Sequence, residues 1–253
     1  MSAVAFDLSI VWPALIAGLL ITATHVPLGI QVLKRGIVFI DLAVAQIAGL
    51  GVIVADWLGF EPHGAAVQAA ALSAALAGAL LLNWTDKRWP EVQEAVIGVT
   101  FIVAANAAIL LLAANPRGAE HLKDLLIGQI LWVNSAELPL VALVSAVILA
   151  IWFGFGERVG RIGFYLLFAC AVTASVQLVG VYLVFTTLIV PALATRRMAR
   201  GRMAMSYLLG AFGYALGLAL SLVTDLPPGP LIVCAMTALG IVAALLISRQ
   251  APA

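Results

Sequence analysis

Apolar residues fill the chain in runs of about 20, and each run ends at charged residues or at Pro and Gly. A helix needs about 20 mostly apolar residues to cross the hydrocarbon of a bilayer. The runs lack the apolar and polar alternation over about ten residues that marks a β-barrel strand. The pattern predicts an all-α fold, a polytopic transmembrane helical bundle of eight or nine helices. The predicted spans are residues 10–32, 37–57, 65–82, 95–114, 138–155, 163–183, 184–195, 206–224 and 230–248.

The span at 184–195 leaves the number of helices open. It is short, it follows its neighbour without a polar break, and it contains Pro191, which is expected to kink or end a helix. A further apolar piece at 122–132 is too brief to cross and is expected to form a surface or re-entrant helix.

The composition excludes a water-soluble protein. Hydrophobic residues make up 64% of the chain and charged residues 10%, and the mean hydropathy is +1.15, whereas a soluble domain carries about 25% charged residues. We therefore expect membrane lipid around most of the surface, and no basic patch suggests nucleic acid as a partner. Residues 1–253 are expected to form a single transmembrane domain without a soluble catalytic module, so any ATP-hydrolysing domain must be a separate chain.

The distribution of Lys and Arg predicts the orientation, because these residues collect in cytoplasmic loops. With the N-terminus outside, only Arg117 and Lys123 of the 13 cations fall outside, which leaves 13 − 2 = 11 inside. This regularity favours nine crossings and places the C-terminus in the cytoplasm. The expected location is the cell inner membrane.

Asp41 is the polar residue that most needs an explanation. It follows Arg35 by six residues, or about 9 Å of helix rise, and an ionised side chain at bilayer depth costs several kcal/mol. One interpretation makes Asp41 a carboxylate that attracts a divalent cation on a transport path. The other pairs it with Lys34 or Arg35, or makes it the cap of a broken helix. Residue type and depth alone favour neither.

Two further residues are candidate ligands on such a path. Gln46 lies five residues after Asp41 and is offset from it by about 140° around the helix. His25 precedes Pro27, where Pro and Gly loosen the helix and could expose carbonyl groups to an ion. A single His within a membrane helix also serves as a hydrogen-bonded packing residue, so both roles stay open for His25. No nucleophile and base pair is found, and no catalytic residue is expected.

Four short motifs follow one another along the chain. They are Pro27-Leu-Gly29 through Lys34-Arg35 to Asp41, then Glu94-Ala-Val-Ile-Gly98, then Gly180 to Arg197, and finally Asp225-Leu-Pro-Pro-Gly229-Pro. In this order and spacing they resemble the zinc/manganese family of ABC transporter permeases over nearly the whole chain.

The resemblance implies a fold of the metal ABC importer permease type. It also implies a homodimer of this subunit, two cytoplasmic ABC ATPase subunits and a periplasmic metal-binding protein. The chain itself would need no cofactor: a divalent metal ion, zinc first and manganese or iron next, would be the substrate, and ATP would be bound by the partner. The ion would move by alternating access.

The chain departs from the family pattern at two places. Family members usually carry His four residues after the acid that matches Asp41, whereas this chain has Ala45. The family also inserts a long cytoplasmic segment, which couples to the ATPase, where this chain has only residues 156–161. Either another inside loop, such as 83–93 or 196–205, transmits the stroke, or the ATPase docks differently, and the sequence favours neither. A gradient-driven secondary transporter, and an ABC permease for a siderophore, haem or cobalamin, are the alternatives.

Overall fold

The structure, a computed structural model, describes residues 8–61, 64–112 and 130–250, and within these ranges it contains helices and no strand. Eight helices are long and apolar enough to cross a membrane, and one apolar helix of 14 residues is shorter. The predicted all-α bundle of eight or nine helices is confirmed. The helices are α1 (Leu8–Arg35), α2 (Ile40–Trp57), α3 (Ala65–Arg88), α4 (Gln93–Leu112), α5 (Leu138–Phe155), α6 (Gly160–Val179), α7 (Val181–Ala194), α8 (Arg202–Thr224) and α9 (Pro228–Gln250).

Most predicted spans match a helix to within a few residues, and the largest difference is at the end of α3. The span was predicted to stop at 82, whereas α3 continues to Arg88. The extension carries polar residues, of which Thr85 is buried: Thr85 donates to Gln93 Oε1 at 2.9 Å, and the Gln93 amide donates to the Leu82 carbonyl at 2.9 Å. These bonds satisfy polar groups that would otherwise break the helix. The predicted piece at 122–132 lies mostly outside the described residues, and its last part, Ile130–Trp132, is a 3₁₀ turn.

The short helix α7 is separated from α6 by a single residue. Gly180 has φ +81°, which an L side chain rarely adopts, and its N–H donates to the Val176 carbonyl at 2.8 Å. The break therefore lies at 180, three residues before the predicted boundary between 183 and 184. Pro191 does not end α7, which continues to Ala194.

The helices pack around α1 and α2. Helix α1 contacts α5, α7 and α8, while α2 contacts α3, α4 and α6, and α9 covers α7 and α8. Close approach depends on small residues: a Cβ on Gly29 would collide with the Leu188 carbonyl of α7, and one on Gly217 would collide with Ile232 of α9. Lipid gives helices little hydrophobic drive to associate, so such close contacts stabilise the bundle.

Several of the cations that the sequence predicted to share one side of the membrane lie together at one end of the bundle, which we call the basic end. Here α1 ends with Lys34 and Arg35, and the Arg35 guanidinium lies 4.3 Å from the centre of the Phe164 ring, near the start of α6. Arg161 forms an ion pair with Asp86 of α3, with 3.3 Å between Nη1 and Oδ2. The basic end thus joins the ends of α1, α3 and α6.

Candidate functional site

Asp41 lies in the first turn of α2 at the basic end, and only 1% of its surface is exposed. The helix starts there because Gly36, with φ +71°, reverses the chain after α1. The Oδ1 atom of Asp41 is buried and has no hydrogen-bond partner among the described residues. A buried carboxylate oxygen without a partner is costly and rare in a protein interior.

The proposed pairing of Asp41 with a neighbouring cation is not observed. Among the described residues the ion pair within 4.0 Å is that between Arg161 and Asp86. The Arg35 side chain lies instead over the Phe164 ring, and Lys34 is exposed. Asp41 is therefore a buried acid without a protein counter-ion in the described part of the chain.

The cap of α2 comes from Glu94, at the start of α4. Phe39, the N-cap residue of α2, has no side-chain cap of its own, and its N–H donates to Glu94 Oε1 at 3.2 Å. A carboxylate at this position satisfies an orphan donor and meets the positive end of the helix dipole. The other oxygen, Oε2, is buried without a partner among the described residues.

Glu94 is the site residue that sequence reasoning missed. In the sequence, an acid in the first turn of α4 is explained by the dipole of its own helix, whereas in the structure the Glu94 carboxylate reaches α2, 55 residues earlier in the chain. Because Phe39 precedes Asp41 by two residues, the Glu94 and Asp41 carboxylates flank the same turn. Each contributes one unpartnered oxygen, and oxygen is the ligand atom that hard divalent cations prefer.

Gln46 and Ala45 lie further along α2. Gln46 is 9% exposed, and its position five residues after Asp41 in one helix offsets the two by about 140°. Ala45 shares the face of Asp41 and is 2% exposed, so the position where the family pattern has His supplies only a methyl group. The face of α2 that carries Asp41 therefore offers no nitrogen ligand.

His25 is fully buried in α1. Its Nδ1 lies 3.0 Å from both the Ile21 carbonyl and the Thr24 hydroxyl oxygen, so Nδ1 has protein partners in either tautomer. Nε2 has no partner among the described residues. A ring nitrogen without a protein partner is a candidate metal ligand when it is unprotonated.

The structure does not assemble the three predicted residues into one metal centre. His25 lies ten residues before the end of α1 and Asp41 in the first turn of α2, which separates them by more than about 10 Å along the bundle. Within residues 8–61, 64–112 and 130–250, no three His, Cys, Asp or Glu side chains lie close enough to hold one metal ion. The described part of one subunit therefore has no resident metal site of that kind.

The shortened link between α5 and α6 is tied to its surroundings. Gly156–Val159 forms a 3₁₀ turn, and Arg161, just after it, pairs with Asp86 and also donates to the Asp86 carbonyl at 3.3 Å. The neighbouring turn at 89–92, which joins α3 and α4, is exposed at every position. Through Arg161 the link is thus joined to the end of α3 at the basic end.

These features define a multi-pass α-helical membrane protein with buried, unpartnered polar atoms near one membrane face, which is the class of membrane-embedded transport subunits. The chain belongs to the ABC 3 transport family, whose profile it matches over residues 7–159 and 152–247.

Similar proteins agree with this family. The high-affinity zinc uptake system membrane protein ZnuB of Haemophilus influenzae is 23% identical over 246 residues, covering 88% of this chain and 92% of the relative. Among solved structures, PsaBC from Streptococcus pneumoniae in complex with a Fab matches with a TM-score of 0.75 at 19% identity, covering 94% of this chain and 91% of that one. An inward-facing ABC transporter, proposed to be of the metal-chelate type, matches with a TM-score of 0.70 at 15% identity, covering 92% and 85%. Both structures share the fold.

Proposed function

We propose that this chain is the membrane-spanning permease subunit of an ATP-driven importer that carries a divalent metal ion across the inner membrane. The observation that carries the proposal is Asp41: a carboxylate buried at bilayer depth, with an unpartnered oxygen, in a chain of the ABC 3 transport family. A passing dication would supply the charge partner that the protein does not provide.

The protein binds the ion transiently during transport and does not retain it in a permanent site. Asp41 contributes an oxygen ligand at the basic end, and Glu94 contributes a second from the adjacent helix start. His25 Nε2, and Gln46 more weakly, are candidate contacts elsewhere on the path. A few weak contacts along a path allow an ion to enter and to leave, whereas a complete tetrahedral site would retain it.

Zinc is the first candidate ion because a relative is named a zinc uptake protein. Manganese and iron are the next candidates, because Ala45 removes a nitrogen ligand and leaves oxygen donors, which suit harder ions better. The side chains near Asp41 should therefore select zinc over manganese and iron less strongly than an Asp and His pair would.

Energy comes from other chains. We propose a homodimer of this subunit, cytoplasmic ATPase subunits bound at the basic end, and a periplasmic metal-binding protein at the opposite end, with the N-terminus outside and the C-terminus inside. ATP binding and hydrolysis in the partner would rock the helices between outward-open and inward-open states. The turn at 89–92 and the loop after α7 are the candidate docking loops, because the 156–161 link is short.

The test is ATP-driven uptake by the chain with its ATPase in proteoliposomes, measured for zinc, manganese and iron. We expect metal uptake that requires ATP and metal-stimulated ATP hydrolysis. Uptake driven by a proton or sodium gradient without nucleotide would contradict the proposal and favour a secondary transporter.

A metal chelate is the second candidate cargo, since one structural relative is proposed to be of the metal-chelate type. Uptake of free metal that is unaffected by an excess of siderophore, haem or cobalamin would support the free ion. Uptake of metal only in its chelated form would support the second candidate.

A further inference from the structure

An aromatic contact joins two groups of helices beside Asp41. Helix α2 packs mainly with α3, α4 and α6, whereas α7 packs mainly with α1, α8 and α9. Phe39, at the start of α2, and Phe185, in α7, bridge the two groups: their rings are stacked, with 6.2 Å between the centroids and 8° between the planes. A movement of one group against the other would therefore separate these rings or slide them past each other.

Phe39 lies on the basic-end side of the candidate ion ligands. It precedes Asp41 by two residues at the start of α2, and its N–H donates to Glu94 Oε1 at 3.2 Å. Phe39 is 47% exposed and Phe185 is partly buried, whereas Asp41 is 1% exposed. The stacked pair thus reaches the surface, while the carboxyl group just beyond it along α2 is sealed.

A comparison with a second aromatic contact separates this pair from ordinary core packing. Phe164 is fully buried, and the centroids of three other aromatic rings lie between 5.6 and 6.1 Å from its own. Such an arrangement stabilises a core. The ring of Phe39 instead stacks on one partner and leaves nearly half of its residue exposed, so the contact can open without taking a core apart.

Each ring is carried by a segment that begins at a glycine with a positive φ. Gly36, with φ +71°, precedes Phe39 by three residues, and Gly180, with φ +81°, precedes Phe185 by five. The space that a Cβ on Gly36 would enter is open, with no atom within 4 Å. Both segments therefore start at positions where the backbone can change direction, as the hinges of moving segments do.

We propose that Phe39 and Phe185 form a hydrophobic gate between Asp41 and the cytoplasm, an inference that rests on the proposed transport function. While the rings are stacked, they would exclude water and hydrated ions, because a constriction of apolar side chains loses its water. When the two groups of helices move apart, the rings would separate and open a way from Asp41 to the basic end. Phenylalanine suits this role because its ring has no polar atom that would retain the ion.

The experiment measures how fast a charged, membrane-impermeant thiosulfonate reagent modifies a thiol at position 45. Ala45→Cys places this thiol on the face of Asp41, one turn deeper, at a position that is 2% exposed. The full chain carries this change together with Cys170→Ala and Cys234→Ala, which remove the native thiols. The reagent is added to inside-out membrane vesicles, which present the cytoplasmic side. The reaction needs neither ATP nor metal, so it does not depend on transport.

Phe39→Ala and Phe185→Ala each remove one ring of the stack. We expect each variant to raise the modification rate about tenfold, the equivalent of about 1.4 kcal/mol, which lies within the range for aromatic pairs. The double variant should raise the rate by less than the product of the two single effects, because either change alone breaks the stack. Phe39→Ala keeps the backbone N–H that bonds Glu94, so α2 retains its cap.

Two further variants control for folding and for nonspecific loosening. Phe39→Leu keeps an apolar side chain and covers the case in which an alanine variant does not fold; it should raise the rate by a smaller factor. Phe212→Ala removes a phenylalanine of α8 that is 63% exposed and on which no described aromatic ring stacks. This variant should leave the rate unchanged.

Three results would overturn the gate. Rapid modification at position 45 with both rings present would show that the pair does not close the path. An unchanged rate in the Phe39 and Phe185 variants, or an equal rise in Phe212→Ala, would leave the pair with a packing role. A rise seen only when the reagent is added from the opposite side of the membrane would contradict its placement. ATP-driven uptake by the unmodified transporter, together with any of these results, would overturn the gate alone and leave the proposed function intact.

Discussion

Two sets of buried polar side chains lie within the bundle, and they differ in whether their polar atoms have partners. In the first, which we call the paired set, Thr187 and Tyr214 join their hydroxyl groups at 3.0 Å, and Thr195 and Ser206 join theirs at 2.8 Å. In the second, the unpaired set, Asp41 and Glu94 each keep one buried oxygen without a described partner.

The difference shows how buried polarity is used in a membrane protein. The paired set joins α7 to α8, and every hydroxyl in it is satisfied, so it stabilises packing and needs no further explanation. The unpaired set leaves carboxyl oxygens unsatisfied at the basic end. Such atoms make folding less favourable, so a function is the expected reason for their presence. The sets also differ in residue type, hydroxyl groups in the paired set and carboxyl groups in the unpaired set, and the hydrogen-bond partners show which atoms are left unsatisfied.

The largest expected effect comes from Asp41→Asn. The substitution keeps the shape of the side chain and removes the charge that a dication would meet, so we expect ATP-driven metal uptake to fall by about 100-fold. The thermal unfolding temperature should not decrease, because a buried charge is lost. Wild-type uptake by a well-inserted variant would leave Asp41 with a structural role only.

Glu94→Gln should have a smaller effect. The amide oxygen still accepts from the Phe39 N–H, so α2 keeps its cap, while the second oxygen is lost as an anionic ligand. We expect uptake to fall by about tenfold at unchanged stability. Glu137→Gln, at an exposed position before α5 and outside the candidate docking loops, is the control and should transport like the wild type. Equal effects of the two variants would argue against Glu94 as a member of the site.

Thr187→Val should affect stability without affecting transport. It leaves the buried Tyr214 hydroxyl without this partner, and hydrogen bonds between membrane helices contribute about 0.6 kcal/mol on average and up to about 1.7. We expect a loss of about 1 kcal/mol in the free energy of unfolding and normal uptake per folded molecule. Thr186→Val is the control, because Thr186 bonds only to the Tyr182 carbonyl of its own helix. Loss of uptake at full stability in Thr187→Val would place the paired set on the ion path.

The helices could be predicted from the sequence because hydropathy and length reflect the thickness of the bilayer directly. The extension of α3 to Arg88 could not, since Thr85 and Gln93 satisfy each other across a turn and only the fold shows that they are buried. The sequence pattern predicted the break between α6 and α7 at 183 instead of 180. The break results from the backbone conformation of Gly180 and not from a polar residue that hydropathy would reveal.

The candidate site was predictable only in part. Asp41 stands out because its charge lies within an apolar run, which a sequence displays. Glu94 does not, because its partner Phe39 is distant in sequence and brought close by the contact between α2 and α4. The metal roles of Asp41, Gln46 and His25 stay predictions, as does the identity of the ion.

The central claim is that Asp41 meets the transported ion, and carbodiimide labelling of the assembled transporter tests it most directly. The reagent modifies carboxyl groups in membrane interiors, and mass spectrometry of the peptide containing Asp41 gives the extent of modification with and without zinc or manganese. We predict that Asp41 is modified in metal-free transporter and protected by the transported metal, but not by magnesium. Asp41 that is unmodified in every state of the ATP cycle, or equally modified with and without metal, would contradict the account.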